Sequence, residues 1–126
     1  HRFISAILHE RKIEIFGNGE QTRDFTYIDD VVEANLHAFL NGKEGGTYNI
    51  GGGSRVKLIE SLNIIEEISG KKAHSKFIEA QRGDAKHTFA DVSNAKRDLG
   101  YSPRVDIKEG LKRHYDWLKE NLDIYL

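Results

Sequence analysis

The chain has 126 residues, 31% of them charged, a formal net charge of −1, and neither cysteine nor methionine. This length holds one domain that buries roughly two-thirds of its unfolded surface, and the even charge balance argues against a nucleic-acid footprint or a basic membrane patch. Without cysteine there is no disulfide framework, thiolate nucleophile or sulfur metal site. His1, His9, His37, His74, His87 and His114 lack the i, i+4 pairing that places two ligands on one helical face, so no metal site is expected. No apolar run approaches the ~20 residues that span a bilayer and no signal-peptide pattern opens the chain, so a cytoplasmic location is expected.

In chain order, Phe3, Ile4, Ile7 and Leu8 recur at helical spacing, and a helix that begins upstream of residue 1 is expected, as in a piece of something longer. Ile13 to Phe16 alternates as a half-buried strand does, and Gly17-Asn18-Gly19 supplies the left-handed backbone of a tight reversal. A hairpin with a second strand over 22–28 is therefore expected. Asp29 or Asp30 is placed to cap a helix reaching Leu40 and stopped by Asn41-Gly42. Thr47 to Ile50 reads as a strand leading into the glycine run at 51–53, where the chain passes close to other elements. Leu58, Leu62, Ile65 and Ile68 mark a helix closed by Gly70, and 76–79 reads as a short strand. Ser93 to Leu99 forms a short helix stopped by Gly100 and Pro103. Asp106 opens a last helix whose stripe is Ile107, Leu111, His114, Leu118 and Leu122. The pattern is α+β, with short strands and four to five helices.

Within the expected second strand, Arg23, Phe25 and Tyr27 share one face and Asp24, Thr26 and Ile28 the other. An arginine held on a rigid element beside aromatic rings suits a phosphate, because its planar fork donates two parallel hydrogen bonds. An Arg23–Asp24 or Arg23–Glu20 surface pair is the alternative from the same spacing.

RDFTYIDD at 23–30, YNIGGG at 48–53 and RGDAKHTFAD at 82–91 resemble the C-terminal part of the NAD-dependent epimerase/dehydratase family, the extended short-chain dehydrogenases that act on nucleotide sugars. Within it the UDP-glucose 4-epimerase branch is the nearest match. The resemblance implies that residues 1–126 are the C-terminal substrate-binding portion of an α/β Rossmann-type enzyme whose N-terminal Rossmann portion is absent. It implies Arg23 as a grip on the diphosphate. It implies a second grip from the 81–84 loop, where Gln81 stands at the family's arginine position and Arg82 is the nearest cation. Asp84 is implied near the ribose or as the partner of the loop arginine, with a plain turn role as the alternative. Glu14, Ile15 and Phe16 match a strand whose backbone edge approaches uracil.

NAD is the cofactor of the enzymes resembled, but neither G-x-G-x-x-G nor a catalytic Tyr-x-x-x-Lys pair is expected here, so no NAD binding and no catalytic residue are assigned to this chain alone. Tyr115 and Lys119 have that spacing inside the last helix, where a packed tyrosine and a solvated lysine are expected. The implied partners are a UDP-sugar, the Rossmann portion and further copies in a homo-oligomer. A stand-alone nucleotide-sugar module or subunit from a split gene is the alternative of another class. A portion of a dTDP-glucose dehydratase or UDP-glucuronate decarboxylase is the alternative within the family.

Overall fold

The structure, a computed structural model, describes residues 1–122. Five helices, α1 (Arg2–Leu8), α2 (Ile28–Asn41), α3 (Leu58–Ser69), α4 (Ser93–Leu99) and α5 (Ile107–Glu120), alternate with four short strands, β1 (Ile13–Phe16), β2 (Thr22–Asp24), β3 (Arg55–Lys57) and β4 (Ser75–Ile78). The α+β expectation holds, and among the described residues no helix is long and apolar enough to cross a membrane.

The expected hairpin does not form. β1 pairs in parallel with β4, Ile13 opposite Ser75 and Phe16 opposite Ile78, while β2 pairs antiparallel with β3, Arg23 opposite Val56. Gly17 and Gly19 do adopt positive φ, +71° and +78°, but the reversal separates two sheets instead of joining two strands. Gly17 N–H already donates to Ile78, and Gln21 Nε2 caps the Phe16 carbonyl at 3.0 Å. The backbone of β1 is thus satisfied by β4 and a side chain before β2 begins. β2 is also shorter than expected, since the chain turns at Tyr27 into α2.

Thr47–Ile50 forms no ladder among the described residues. A strand needs a partner, and none lies beside it. Tyr48 and Ile50 pack instead against the smaller of two apolar clusters, Ala34, Val92, Ala95, Leu99 and Tyr101, between α2 and α4. The larger cluster joins Ile4 and Ile7 of α1, Ile13 and Ile15 of β1, Leu62 and Ile65 of α3, and Tyr115 and Leu118 of α5. Helical spacing in α1 and α3 and alternation in β1 supply this core. On α5 the fully buried positions are Tyr115 and Leu118, while Leu111 and His114 lie at the margin. Tyr115 is therefore a packed core residue and Lys119 an exposed one, as expected.

The helix ends follow their residues. Asp106 Oδ1 accepts from Glu109 N at 2.9 Å, and Gly70 and Gly100 close α3 and α4 at φ +68°. Neither Asp29 nor Asp30 caps α2. Tyr27 occupies the cap without a side-chain bond, and Asp30, 3% exposed, accepts from the backbone N–H groups of Arg104 and Val105 at 3.0 and 3.3 Å. Its charge ties the start of α2 to the loop before α5.

Candidate functional site

Thr22, at the start of β2, has neighbours on both sides. β3 lies along one edge, and the segment around His87 forms a parallel bridge on the other, with Thr22 N donating to the Lys86 carbonyl and Thr88 N to the Thr22 carbonyl. The Thr22 hydroxyl also meets His87 Nδ1 at 2.9 Å. The loop after β4 is thereby laid directly beside Arg23.

Arg23 is held by that loop. Nη1 donates to the Thr22 carbonyl at 2.9 Å and the Ala85 carbonyl at 2.8 Å, and Nη2 forms an ion pair with Asp84. A guanidinium has five N–H donors. Three are used, so Nε–H and one Nη2–H remain, enough for one bidentate pair. The Arg23 and Asp84 side chains stay 28% and 38% exposed. The alternative pairings with Asp24 and Glu20 are not formed. Glu20 binds Lys57, and Asp24 accepts from Gly52 N at 2.8 Å and Ala90 N at 3.1 Å.

Asp24 and the glycine run set how closely the surrounding segments approach. A Cβ on Gly51 would lie 2.4 Å from Asp24 Oδ2, and one on Gly52 would lie 1.8 Å from the Phe25 carbonyl oxygen. Tyr101 Oη donates to the Gly51 carbonyl at 2.8 Å, and burial raises its pKa above the usual phenol value, with Asp30 and Asp24 adding to the shift. The close passage expected at 51–53 is therefore present. Gly51 and Gly52 are filled by the chain's own backbone and side chains, and the Gly52 N–H is taken by Asp24, so this pair does not fit a dinucleotide, which needs free N–H groups aimed at a pyrophosphate.

The remaining expected residues lie as follows. Asp84 pairs with the strand arginine, Arg23, and its own N–H closes a turn on the Gln81 carbonyl at 3.2 Å. Gln81 and Arg82 are exposed on that turn, and neither side chain has a hydrogen bond or ion pair among the described residues. In β1, Ile15 is buried, Glu14 exposed and Phe16 half-buried. Ile13 donates to His74 and Gly17 to Ile78. Alternation along a parallel ladder therefore points the backbone groups of Glu14 and Phe16 toward the opposite edge, which carries no strand among the described residues.

Sequence reasoning missed three contributors, Thr22, Asp24 and His87. Alternation does place Asp24 opposite Arg23, but nothing local indicates the amides at 52 and 90 that it accepts from.

A cleft of about 480 Å³ lies elsewhere, between residues 25–28 and α5, lined by Phe25, Tyr27, Leu111, His114 and Trp117. Its cation, Arg113, is bound to Glu109 at 2.7 Å and lies over the Tyr27 ring at 5.4 Å. It has the apolar character of a packing surface, whereas the guanidinium of Arg23 keeps open N–H donors.

The model of the NAD dependent epimerase/dehydratase family matches residues 1–51. The UDP-glucuronate 4-epimerase of Thermodesulfobacterium geofontis is 41% identical over 124 residues, 98% of this chain and 38% of that protein. The UDP-glucuronic acid 4-epimerase of Bacillus cereus, solved with UDP-glucuronic acid and NAD, superposes with a TM-score of 0.90 at 40% identity, over 96% of this chain and 39% of that one. The UDP-glucose 4-epimerase of Thermotoga maritima, solved with UDP-glucose, gives a TM-score of 0.90 at 33% identity over the same shares. The chain thus spans about two fifths of the length of these proteins. With motifs, fold and relatives in agreement, residues 1–51 match the NAD dependent epimerase/dehydratase family and the chain as a whole is similar to about two fifths of the length of these epimerases.

Proposed function

We propose that this chain is the UDP-anchoring part of an NAD-dependent UDP-sugar 4-epimerase. The observation that carries the reading is the tethered Arg23, with one donor pair left over and its plane fixed by Ala85 and Asp84. That pair reads a diphosphate oxygen edge. Arg82, two residues from Asp84 on the same turn, adds the second positive charge. Gln81 contributes hydrogen bonds but cannot neutralise phosphate. The outward backbone groups of Glu14 and the Phe16 N–H are suited to a base edge, while the Phe16 carbonyl already accepts from Gln21. The named relatives divide between UDP-glucuronate and UDP-glucose. UDP is what their substrates share, and Arg23 and the loop address that part.

In this reading the chain's residues bind and orient. They supply no acid, base or hydride donor, and the dinucleotide is held by other residues of the enzyme, because Gly51 and Gly52 are already filled. Binding energy from a group remote from the chemistry then positions the sugar.

The test is a chimaera in which residues 1–126 replace the matching segment of the T. geofontis relative, titrated calorimetrically with UDP and with uridine. Arg23→Ala should weaken UDP binding by about 1.5–3 kcal/mol, the range for hydrogen bonds to a charged group, and leave uridine nearly unchanged. Equal losses for both ligands would remove the phosphate role.

A further inference from the structure

Positive charge gathers where β1 and β4 begin. Arg11 and Lys12 follow α1, Lys71 and Lys72 follow α3, and Glu10 is the single acid within residues 9–12 and 71–74. A cleft of about 340 Å³ opens there, lined by Ile7, Glu10, Arg11, Lys71, Lys72 and His74. A helix C-terminus favours nearby cations, but the end of α1 is already served by backbone. Glu10 N–H donates to the Ile7 carbonyl at 3.3 Å and Arg11 N–H to the Ala6 carbonyl at 2.8 Å. Glu10 takes φ +57°, the one non-glycine residue among the described residues in the left-handed region, and its carboxylate accepts from Lys71 Nζ at 2.9 Å. That contact ties the turn after α1 to the turn after α3, one on each side of the cleft.

We infer that this cleft is a second anion site, one that takes a phosphate dianion, free or as a monoester. Its donors are in surplus. Lys71 is bound to Glu10 and Lys72 to Glu66, yet each ammonium has three N–H donors, and the two lysine side chains stay 48% and 90% exposed, where such pairs rearrange at little cost. The Arg11 guanidinium and the His74 ring make no hydrogen bond or ion pair among the described residues. A planar fork and flexible ammonium groups around one concavity supply donors on several sides of a doubly charged tetrahedral oxyanion. The volume lies at the lower end of small-molecule sites, roughly 300–1,000 Å³, which leaves room for an ester group. The place is separate from Arg23. The His74 carbonyl accepts from Ile13 N–H where the β1–β4 ladder starts, whereas the loop beside Arg23 follows Ile78, where the ladder ends. The inference therefore does not depend on what Arg23 holds.

Inorganic phosphate and glucose 6-phosphate, each titrated into the full isotope-labelled chain and followed by amide NMR shifts, test the inference as free ion and as ester. Saturable shifts at residues 10–12 and 71–74 are expected with at least one of the two, and sodium chloride at equal ionic strength should not reproduce them. Arg11→Gln and Lys72→Gln should each weaken that binding about tenfold, the effect of losing one hydrogen bond to a charged group. Unmoved amides elsewhere in each variant report an intact fold. Arg23→Ala should leave the binding unchanged. Shifts confined to the surroundings of Arg23 and Asp84 would overturn the inference, as would an equal response to chloride or wild-type affinity in both the Arg11 and Lys72 variants.

Discussion

Arg23 and Asp84 meet across 61 positions of sequence, and the pair joins a strand to a loop that no other ion pair reaches among the described residues. Both side chains are partly exposed, so the pair adds less than about 1 kcal/mol to stability. Its effect is geometric, in fixing which edge of the guanidinium is left open.

Asp84→Ala should therefore leave the melting temperature nearly unchanged and weaken UDP binding in the chimaera by about tenfold, close to 1.4 kcal/mol. Asp84→Glu should recover part of the loss. Arg82→Ala and Gln81→Ala, titrated alongside, show which of the two assists, and no effect at any of the three positions would take the loop out of the site.

Asp30 presents the opposite case, a buried carboxylate serving two backbone N–H groups. Asp30→Ala leaves both donors without an acceptor and should cost about 2–4 kcal/mol in urea unfolding. Asp30→Asn keeps one acceptor oxygen and should cost about half as much. A loss below about 0.5 kcal/mol in the alanine variant would show that water replaces the carboxylate.

At Gly52 a methyl group would fall 1.8 Å from the Phe25 carbonyl oxygen, whereas at Gly70, φ +68°, nothing lies within 4 Å. Gly70→Ala should cost only the left-handed penalty of about 1–2 kcal/mol. Gly52→Ala forces two backbones apart and should exceed about 3 kcal/mol or prevent folding. Thermal unfolding of the two variants checks the order, and a milder effect at 52 than at 70 would contradict the close approach.

Asp98, with its side chain 8% exposed, accepts from Arg97 Nε and from Lys43 Nζ, each at 2.9 Å, and these partners lower its pKa to about 2. A carboxylate depressed in the folded state stabilises it fully above the unfolded pKa, near 3.8, and that contribution is lost as pH falls toward 2. Asp98→Asn should accordingly lower the melting temperature at pH 6 and narrow its gap from the wild type between pH 4 and pH 2. A gap that stays constant with pH would rule out the charge of Asp98 as its source.

The elements that the sequence announced most clearly are those whose signal is local. The periodicity of α3 and α5, the glycines at 70 and 100, and the cap at Asp106 all depend on residues a few positions apart. Strand pairing does not. β1 and β2 look like a hairpin because Gly17-Asn18-Gly19 lies between them, yet the partner of each lies more than thirty residues further along. β3 was not distinguished from the start of α3, since Arg55-Val56-Lys57 is too short to show alternation. At the candidate site, the motif resemblance singles out Arg23 and the 81–84 turn, but it gives Asp84 to the ribose or the loop arginine and not to Arg23, with which it pairs. The role of Asp24 was not legible, because its acceptor bonds run to the backbone, which leaves no side-chain signature at 52 or 90. Asp30 was misread as a cap for the same reason.

The loop after β4 is fastened at its two ends and loose between them. Ile78 closes the ladder to β1, and from Asp84 onward the chain is bound to Arg23 and Thr22, while residues 79–83 make, among the described residues, only the one turn on Gln81. Insertions or deletions in those five positions therefore disturb neither sheet, since lengthening a closed loop costs little. If the loop borders the proposed UDP site, ligand preference would drift there by changes of length as well as of residue, with the arginine and its tether left where they stand.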